Sequence, residues 1–301
     1  AEIADVWLGV AEFRDDCDSG YVPFNLRQEM TPDLTRVQSA LAAITDGGGC
    51  GYTTILEALY QLFTGEGFGM ELPEHMGCAD FGFYGYPCFR EGALPIVIGF
   101  SDAEARNGPS GILYDVTYPG ATPHTYRQVI DALVDYGARF IGVDSGEAHT
   151  DFRAVSIDTG TVRADGSPLL FEIPTTGDGL DSRVVDAVVD LAHQVAMDVD
   201  TFREERPLVG DGVDATQFIR SVRPVSYAGG AASGMDDTTF YGVMPGTLLT
   251  FEVTFLNDFL EEGERPRAFR AFIVVRGNGV ARLDAKEVLI IVPGSRGVII
   301  G

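Results

Sequence analysis

The sequence predicts an α/β domain built on a mostly parallel, doubly wound sheet, followed by an all-β sandwich. Up to about residue 205, apolar strands alternate with amphipathic helices, the order that lays helices over both faces of a parallel sheet. Beyond that point strand patterns and turn signals follow one another with no helix among them. At 301 residues the chain can bury two cores. The expected organisation is an α/β domain over residues 1–205, a linker over 206–213 and a sandwich of the Ig-like kind over 214–301.

Taken in order, VWLGVAEF (6–13) reads as a buried strand. TPDLTRVQSALAAI (31–44) reads as a helix capped by Thr31 with Pro32 in its first position. A glycine run, Gly47–Gly49 and Gly51 around Cys50, feeds a second helix at 53–63. ALPIVIGFSD (93–102) is apolar until it ends on Ser101 and Asp102. HTYRQVIDALVDYG (124–137) is a helix with Val129, Ile130, Leu133 and Val134 on one side, and RFIGVDSG (139–146) is another buried strand. His149 is expected in a loop. PLLFEIP (168–174) is a short strand, and LDSRVVDAVVDLAHQVAMDV (180–199) a long helix. EERPLVGDGVD (204–214) marks the change of grammar; GDGVDA lacks the acid spacing of an EF-hand and reads as linker. Then come the strands TLLTFEVTFLN (247–257), RAFRAFIVVRGNG (267–279) and EVLIIVP (287–293), with Arg265–Pro266 and Gly277–Asn278–Gly279 as turns.

The net charge is −24, and Lys286 is the only lysine. Such a chain is repelled by phosphate backbones and anionic lipid, which argues against nucleic-acid binding and suits divalent cations, basic partners or a salty medium. No apolar run approaches the roughly 18–20 residues that span a bilayer. The opening AEIADVWLGVAEF is strand-like and has no signal-peptide pattern. Of the four cysteines, Cys78 and Cys88 bracket an aromatic, glycine-rich loop that a disulfide would staple. Cys17 and Cys50 are either a second pair or two buried thiols. No C-x-x-C spacing occurs, so a zinc cluster is not expected. The cysteines favour an oxidising, extracellular or cell-surface location. No G-x-S-x-G or H-E-x-x-H motif is present, and a Cys50–His124 pair would lack a third, orienting group, so the chain is not expected to be an enzyme.

The glycine run does not match a phosphate loop: Gly51 is followed by Tyr52, Thr53 and Thr54, with no lysine. Thr53 instead puts a hydroxyl at the mouth of a helix. Asp102 puts a carboxylate at the C-terminal end of a strand, where open α/β sheets hold their ligands. These oxygen donors suit Mg²⁺, Mn²⁺ or Ca²⁺. The loop from Glu66 to Arg90 carries Phe68, Phe81, Phe83, Tyr84, Tyr86 and Phe89, which either form a protein-binding surface or cover the loop's own interior.

The order of VWLGVAEFRDD, PFNLRQEMTPDLTRVQSALAAITDGGGCGYTTILEALYQL, ALPIVIGFSDA and HTYRQVIDALVDYGARFIGV resembles a von Willebrand factor A domain over about residues 3–200, the integrin-type and bacterial extracellular members most of all. The resemblance implies a metal-ion-dependent adhesion site made by three loops: one with Asp-x-Ser-x-Ser, one with a threonine and one with an aspartate. Thr53 matches the second and Asp102 the third. The first motif does not occur; VDSG at 143–146 lacks its spacing. By the same resemblance, the strand and helix bearing that motif are expected in an upstream segment of the same precursor. Asp15, Asp16 and Asp18 would lie near the metal face and hold a second cation, or else form a solvated acidic loop. The implied function is an extracellular metal-ion-dependent protein-binding or adhesion module, holding Mg²⁺ or Ca²⁺ and engaging a protein ligand that offers a carboxylate. The alternative is a structural subunit of a surface assembly or filament with a degenerate or split metal site.

Overall fold

The computed structural model describes residues 6–15, 23–45, 51–79, 82–115, 118, 120–205, 212–261 and 263–295. The chain divides into two compact units, Ala1–Val195 and Ala196–Gly301.

In the first unit, β1 (Leu8–Glu12) pairs antiparallel with β2 (Asn25–Thr31), Leu8 opposite Thr31 and Glu12 opposite Asn25. Helix α1 (Leu34–Ala42) therefore does not start at Thr31, which closes β2. Its cap is Asp33, whose carboxylate accepts from Thr35 N at 2.9 Å. The two-residue strand β3 (Tyr52–Thr53) leads into α2 (Ile55–Thr64), which ends on Gly65 in the left-handed conformation at φ 66°. Most of this helix is buried, and its two buried polar side chains satisfy each other: Gln61 Nε2 donates to Glu57 Oε1 at 2.8 Å.

The loop beyond α2 carries a small hairpin, β4 (Phe83–Tyr84) with β5 (Phe89–Arg90), and the expected Cys78–Cys88 disulfide is present. Next come β6 (Ile96–Ser101) and β7 (Glu104–Ala105), the latter parallel to β3. Helix α3 (Tyr126–Asp135) starts with a capping box between Thr125 and Gln128. Val129, Ile130 and Leu133 are buried as expected, whereas Val134 is 52% exposed. Strand β8 (Arg139–Asp144) is buried at all six positions. Helix α4 (His149–Asp158) was not expected: His149 opens a helix and does not sit in a loop. Then follow β9 (Leu170–Glu172) and α5 (Leu180–Gln194).

Strands β6, β8 and β9 form a three-stranded parallel sheet, registered from Ile96 opposite Arg139 to Ser101 opposite Asp144. Helices α2, α3 and α4 pack a common core with β8 through Ile55, Leu59, Phe63, Leu133, Phe140 and Phe152. Gly142 lets α4 lie close to the sheet, because a Cβ there would come within 2.7 Å of Phe152.

The second unit contains β10 (Met197–Glu205), a 3₁₀ turn (Ala215–Phe218), β11 (Ile219–Ala228), β12 (Gly234–Met235), β13 (Phe240–Val243), β14 (Leu248–Phe255), β15 (Arg267–Gly277) and β16 (Ala281–Val292). Five strands form an antiparallel sheet in the order β12-β13-β10-β15-β16, and β11 pairs with β14 in a second sheet. Phe218, Ile219, Val222 and Val253 meet Phe269, Ala271 and Ile273 in a core that both sheets share. Asn278 and Gly279 take the positive φ values, 50° and 74°, that a tight hairpin turn between β15 and β16 demands.

The expected boundary at 205/206 differs from this division. Residues 197–205 form the central strand of the second unit, paired with β15 from Val199 opposite Gly277 to Glu205 opposite Ala271. Of the expected linker, residues 206–211 lie outside the described residues, and Asp214 caps the 3₁₀ turn. Among the described residues no helix is long and apolar enough to cross a membrane.

Asp151 on α4 is fully buried and accepts hydrogen bonds from Ala105 N (2.7 Å), Ser110 N (2.8 Å) and Ser110 Oγ (2.9 Å). It fixes the chain that follows β6. Asp151→Ala leaves one buried and two half-buried donors without their acceptor, a cost of about 2 kcal/mol, so the first unit's melting temperature should fall by roughly 4–8 °C in calorimetry. An unchanged transition would show that the loop is held by other contacts.

Candidate functional site

Strand β1 pairs with β2 on one edge, and β6 with β8 on one edge. Both strands also line one cleft of about 1340 Å³. The strands run towards the same end of it. There Thr54 Oγ1 donates to Arg14 O (2.8 Å) just past β1, and Arg106 N, just past β7, donates to Thr53 O (2.8 Å). Helix α2 contributes Ile55 and Leu59 to the cleft wall. Leu8, Leu41, Ile44, Phe100 and Leu180 also line it, and each is more than a third exposed. Together they form an exposed apolar lining on one concave surface.

Thr53 and Asp102, the two metal ligands expected from sequence, both line this cleft. Thr53 is 5% exposed, and its Oγ1 is buried with no hydrogen-bond partner. Asp102 is exposed. Its backbone carbonyl accepts from Glu147 N at 2.9 Å, while its carboxylate has no partner among the described residues. The loop that presents it leaves no latitude at Gly146, where a Cβ would sit 2.3 Å from Asp102 O. The VDSG segment thus serves as a support. Asp144 Oδ1 accepts from Gly146 N (2.8 Å) and Ala148 N (3.1 Å), and Ser145 N donates to Ser101 O (3.0 Å).

Asp15 is almost completely buried, and both its oxygens face Arg106: Oδ1 lies 3.1 Å from Nε and Oδ2 3.1 Å from Nη2. Arg106 also donates from Nη1 to Leu113 O (2.8 Å) and Asp115 Oδ1 (3.0 Å). Asp15 is therefore no solvated loop residue. Asp16 and Asp18, named with it as a second cation site, lie outside the described residues, as do Cys17 and Cys50. Sequence reasoning passed over Arg106 altogether. The available signal was an arginine in a chain with few basic residues, close behind Asp102 and Glu104.

Most of the described loop aromatics pack onto neighbouring elements of the first unit and do not enclose a separate loop interior. Phe68 and Phe89 are buried, Phe89 stacks on Phe63 at 5.0 Å and Tyr84 on Tyr136 at 5.2 Å; Phe81 lies outside the described residues. Burial, with Tyr136 and Glu91 nearby, pushes the Tyr84 phenol up to about 12. His124 is engaged: its Nδ1 lies 3.0 Å from Glu57 Oε1, and its ring stacks on Tyr60 at 3.5 Å.

A hydroxyl and a carboxylate at the C-terminal end of a strand are the donor class that hard divalent cations take. They are two donors where such ions use six to eight. The remainder would come from water, from an incoming ligand or from whatever fills the cleft.

No family model matches the chain, and no curated protein matches it. Among solved structures, it is similar to a von Willebrand factor type A structure from Catenulispora acidiphila, with 12% identity and a TM-score of 0.38 over 96% of this chain and 58% of that one. It is also similar to the human COPII-coat protein Sec24c, with 11% identity and a TM-score of 0.23 over 66% of this chain and 26% of that one. The chain thus spans less than two thirds of the length of either structure.

Proposed function

We propose that the first unit is an extracellular, metal-ion-dependent protein-binding or adhesion module. Its cleft is filled by a β-strand from an upstream segment of the same precursor. The observation that carries this reading is the Thr53 hydroxyl, buried without a partner in the cleft that Asp102 also lines. An orphaned buried hydroxyl costs about 1–3 kcal/mol. A cation accepting its lone pair offsets that cost, and the Asp102 carboxylate supplies the matching charge. Mg²⁺ or Ca²⁺ fits the donors, and a carboxylate offered by a protein ligand would complete the shell.

The cleft supports the second half of the reading. Strand β6 has six residues, about 20 Å of edge at 3.3 Å per residue. A strand laid between β1 and β6 would pair with both edges and cover Leu8 and Phe100. Run parallel to them, it would end beside Thr53 and Asp102, at the place where open sheets put their ligands. In this reading the second unit is an Ig-like spacer. The Cys78–Cys88 bridge favours an oxidising, extracellular setting.

One specific observation favours the alternative, a structural subunit of a surface assembly. Strand β16 is twelve residues long, lies at the edge of its sheet and exposes Leu283, Leu289 and Ile291. Such edges pair between copies unless charges break them up. Assembly seen by sedimentation and insensitive to chelator would move the weight to this reading.

In the longer precursor, Mn²⁺ binding followed by electron paramagnetic resonance should weaken at least about tenfold in Asp102→Ala and less in Thr53→Val, with circular dichroism unchanged; tenfold is about 1.4 kcal/mol. Equal affinity in wild type and Asp102→Ala would sink the metal site. Residues 1–301 alone should enhance the fluorescence of an anilinonaphthalene dye, and the precursor should not. Equal dye binding by both would mean that no segment fills the cleft.

A further inference from the structure

A second cluster of metal-ligating side chains lies in the stapled loop. His75 Nε2 is 3.8 Å from Cys78 Sγ and 4.0 Å from Cys88 Sγ, and the three ligand atoms all lie within 4.8 Å of one another. We propose that His75, Cys78 and Cys88 form a redox-gated metal site, closed while the bridge is oxidised and selective for a thiophilic divalent cation of the zinc class once it is reduced.

The chemistry balances with a dithiol as reductant. It gives two electrons and two protons to the Cys78–Cys88 bond, which breaks into two thiols, while the dithiol leaves as its own cyclic disulfide. Metal binding then displaces both thiol protons, and the ion is held by two thiolates and a neutral imidazole nitrogen. Zinc–ligand distances of about 2.0–2.3 Å suit an ion placed among three atoms this close together. Two sulfurs and a nitrogen select against Mg²⁺ and Ca²⁺, so this site is chemically separate from the Thr53–Asp102 pair. His75 and Cys78 are half-buried, which leaves a fourth position for water.

The scaffold keeps two of the three ligands in place without the bridge. His75 N donates to Gly65 O at 2.8 Å, which ties it to the end of α2, and its ring lies 4.8 Å from that of Tyr86. Cys88 follows a segment fixed by Tyr86 N to Leu62 O (2.9 Å) and by Met30 N to Pro87 O (2.8 Å). Cys78 follows Gly77, which sits at φ +93° with open space where a Cβ would project, so the third ligand has room to move apart from Cys88 as the sulfurs separate.

The test uses the full chain and Co²⁺ as a spectroscopic probe. Residues 1–301 are reduced with a phosphine, which does not compete as a thiol, and titrated with Co²⁺ beside the oxidised chain and Cys78→Ser/Cys88→Ser. Thiolate-to-cobalt charge-transfer absorption discriminates against the many carboxylates and, through the double variant, against Cys17 and Cys50. The expected result is a band saturating at one equivalent in the reduced wild type and missing from the oxidised chain. The double variant should lack that increment, and His75→Ala should bind at least ~10-fold more weakly. A reduced wild-type spectrum equal to that of the double variant overturns the proposal, and so does undiminished affinity in His75→Ala. Circular dichroism runs on the same samples; a reduced chain that loses its structure and gives no band also overturns it.

Discussion

The end of the cleft is organised around one buried cation. Arg106 is 5% exposed, and a charge taken out of water to that extent is tolerated only when its donors are matched. Asp15 meets it with both oxygens, in the bidentate geometry that a planar guanidinium prefers. The same residue bonds Thr53 O through its backbone and Leu113 O through its side chain. Its guanidinium also lies 5.1 Å from the Tyr52 ring centroid. Three stretches of chain distant in sequence are thereby gathered at one point: the residues just past β1, strand β3 and the chain from Arg106 to Asp115. The position of the Thr53 hydroxyl follows from that gathering.

The acids of the first unit divide by what they touch. Glu57, Asp144 and Asp151 are buried and accept from backbone amides, Glu57 and Asp151 from neighbouring side chains as well, and each fixes a loop or a helix start. Asp15 is neutralised by Arg106. Asp102 differs from all of these, lying at a strand end with its carboxylate unengaged among the described residues. A net charge of −24 is thus in part internal architecture, and its amount alone does not locate a site.

Much of the first unit was legible because its signals are local. The buried strand β8 and the apolar side of α3, with Val129, Ile130 and Leu133, each announce themselves within a few residues. The misses arise where tertiary context decides. NLRQEMT has no apolar run, yet it forms β2 because β1 supplies its partner. Helix α4 was passed over because its buried Asp151 and Ser156 blur the apolar stripe, although both are satisfied by long-range hydrogen bonds. Strand β10 was absorbed into the tail of a helix, since its partner β15 lies far along the sequence. Of the candidate site, Thr53 and Asp102 were picked out from loop chemistry at strand and helix ends, and both line the cleft. The Asp15–Arg106 pair joins residues 91 positions apart, and no local pattern encodes it.

The junction between the units bears on how the polypeptide is made. Val195 is buried in the first unit, and Met197 already belongs to the central strand of the second. As synthesis proceeds, the first unit has all its elements once α5 has emerged. The strand that follows must then wait, with both edges open, until β13 and then β15 are synthesised. Nascent chains of intermediate length therefore expose an unpaired strand beside a finished domain, a hazard for misassembly between neighbouring ribosomes. The charges along this strand, Asp198, Asp200, Arg203, Glu204 and Glu205, keep it soluble while it waits.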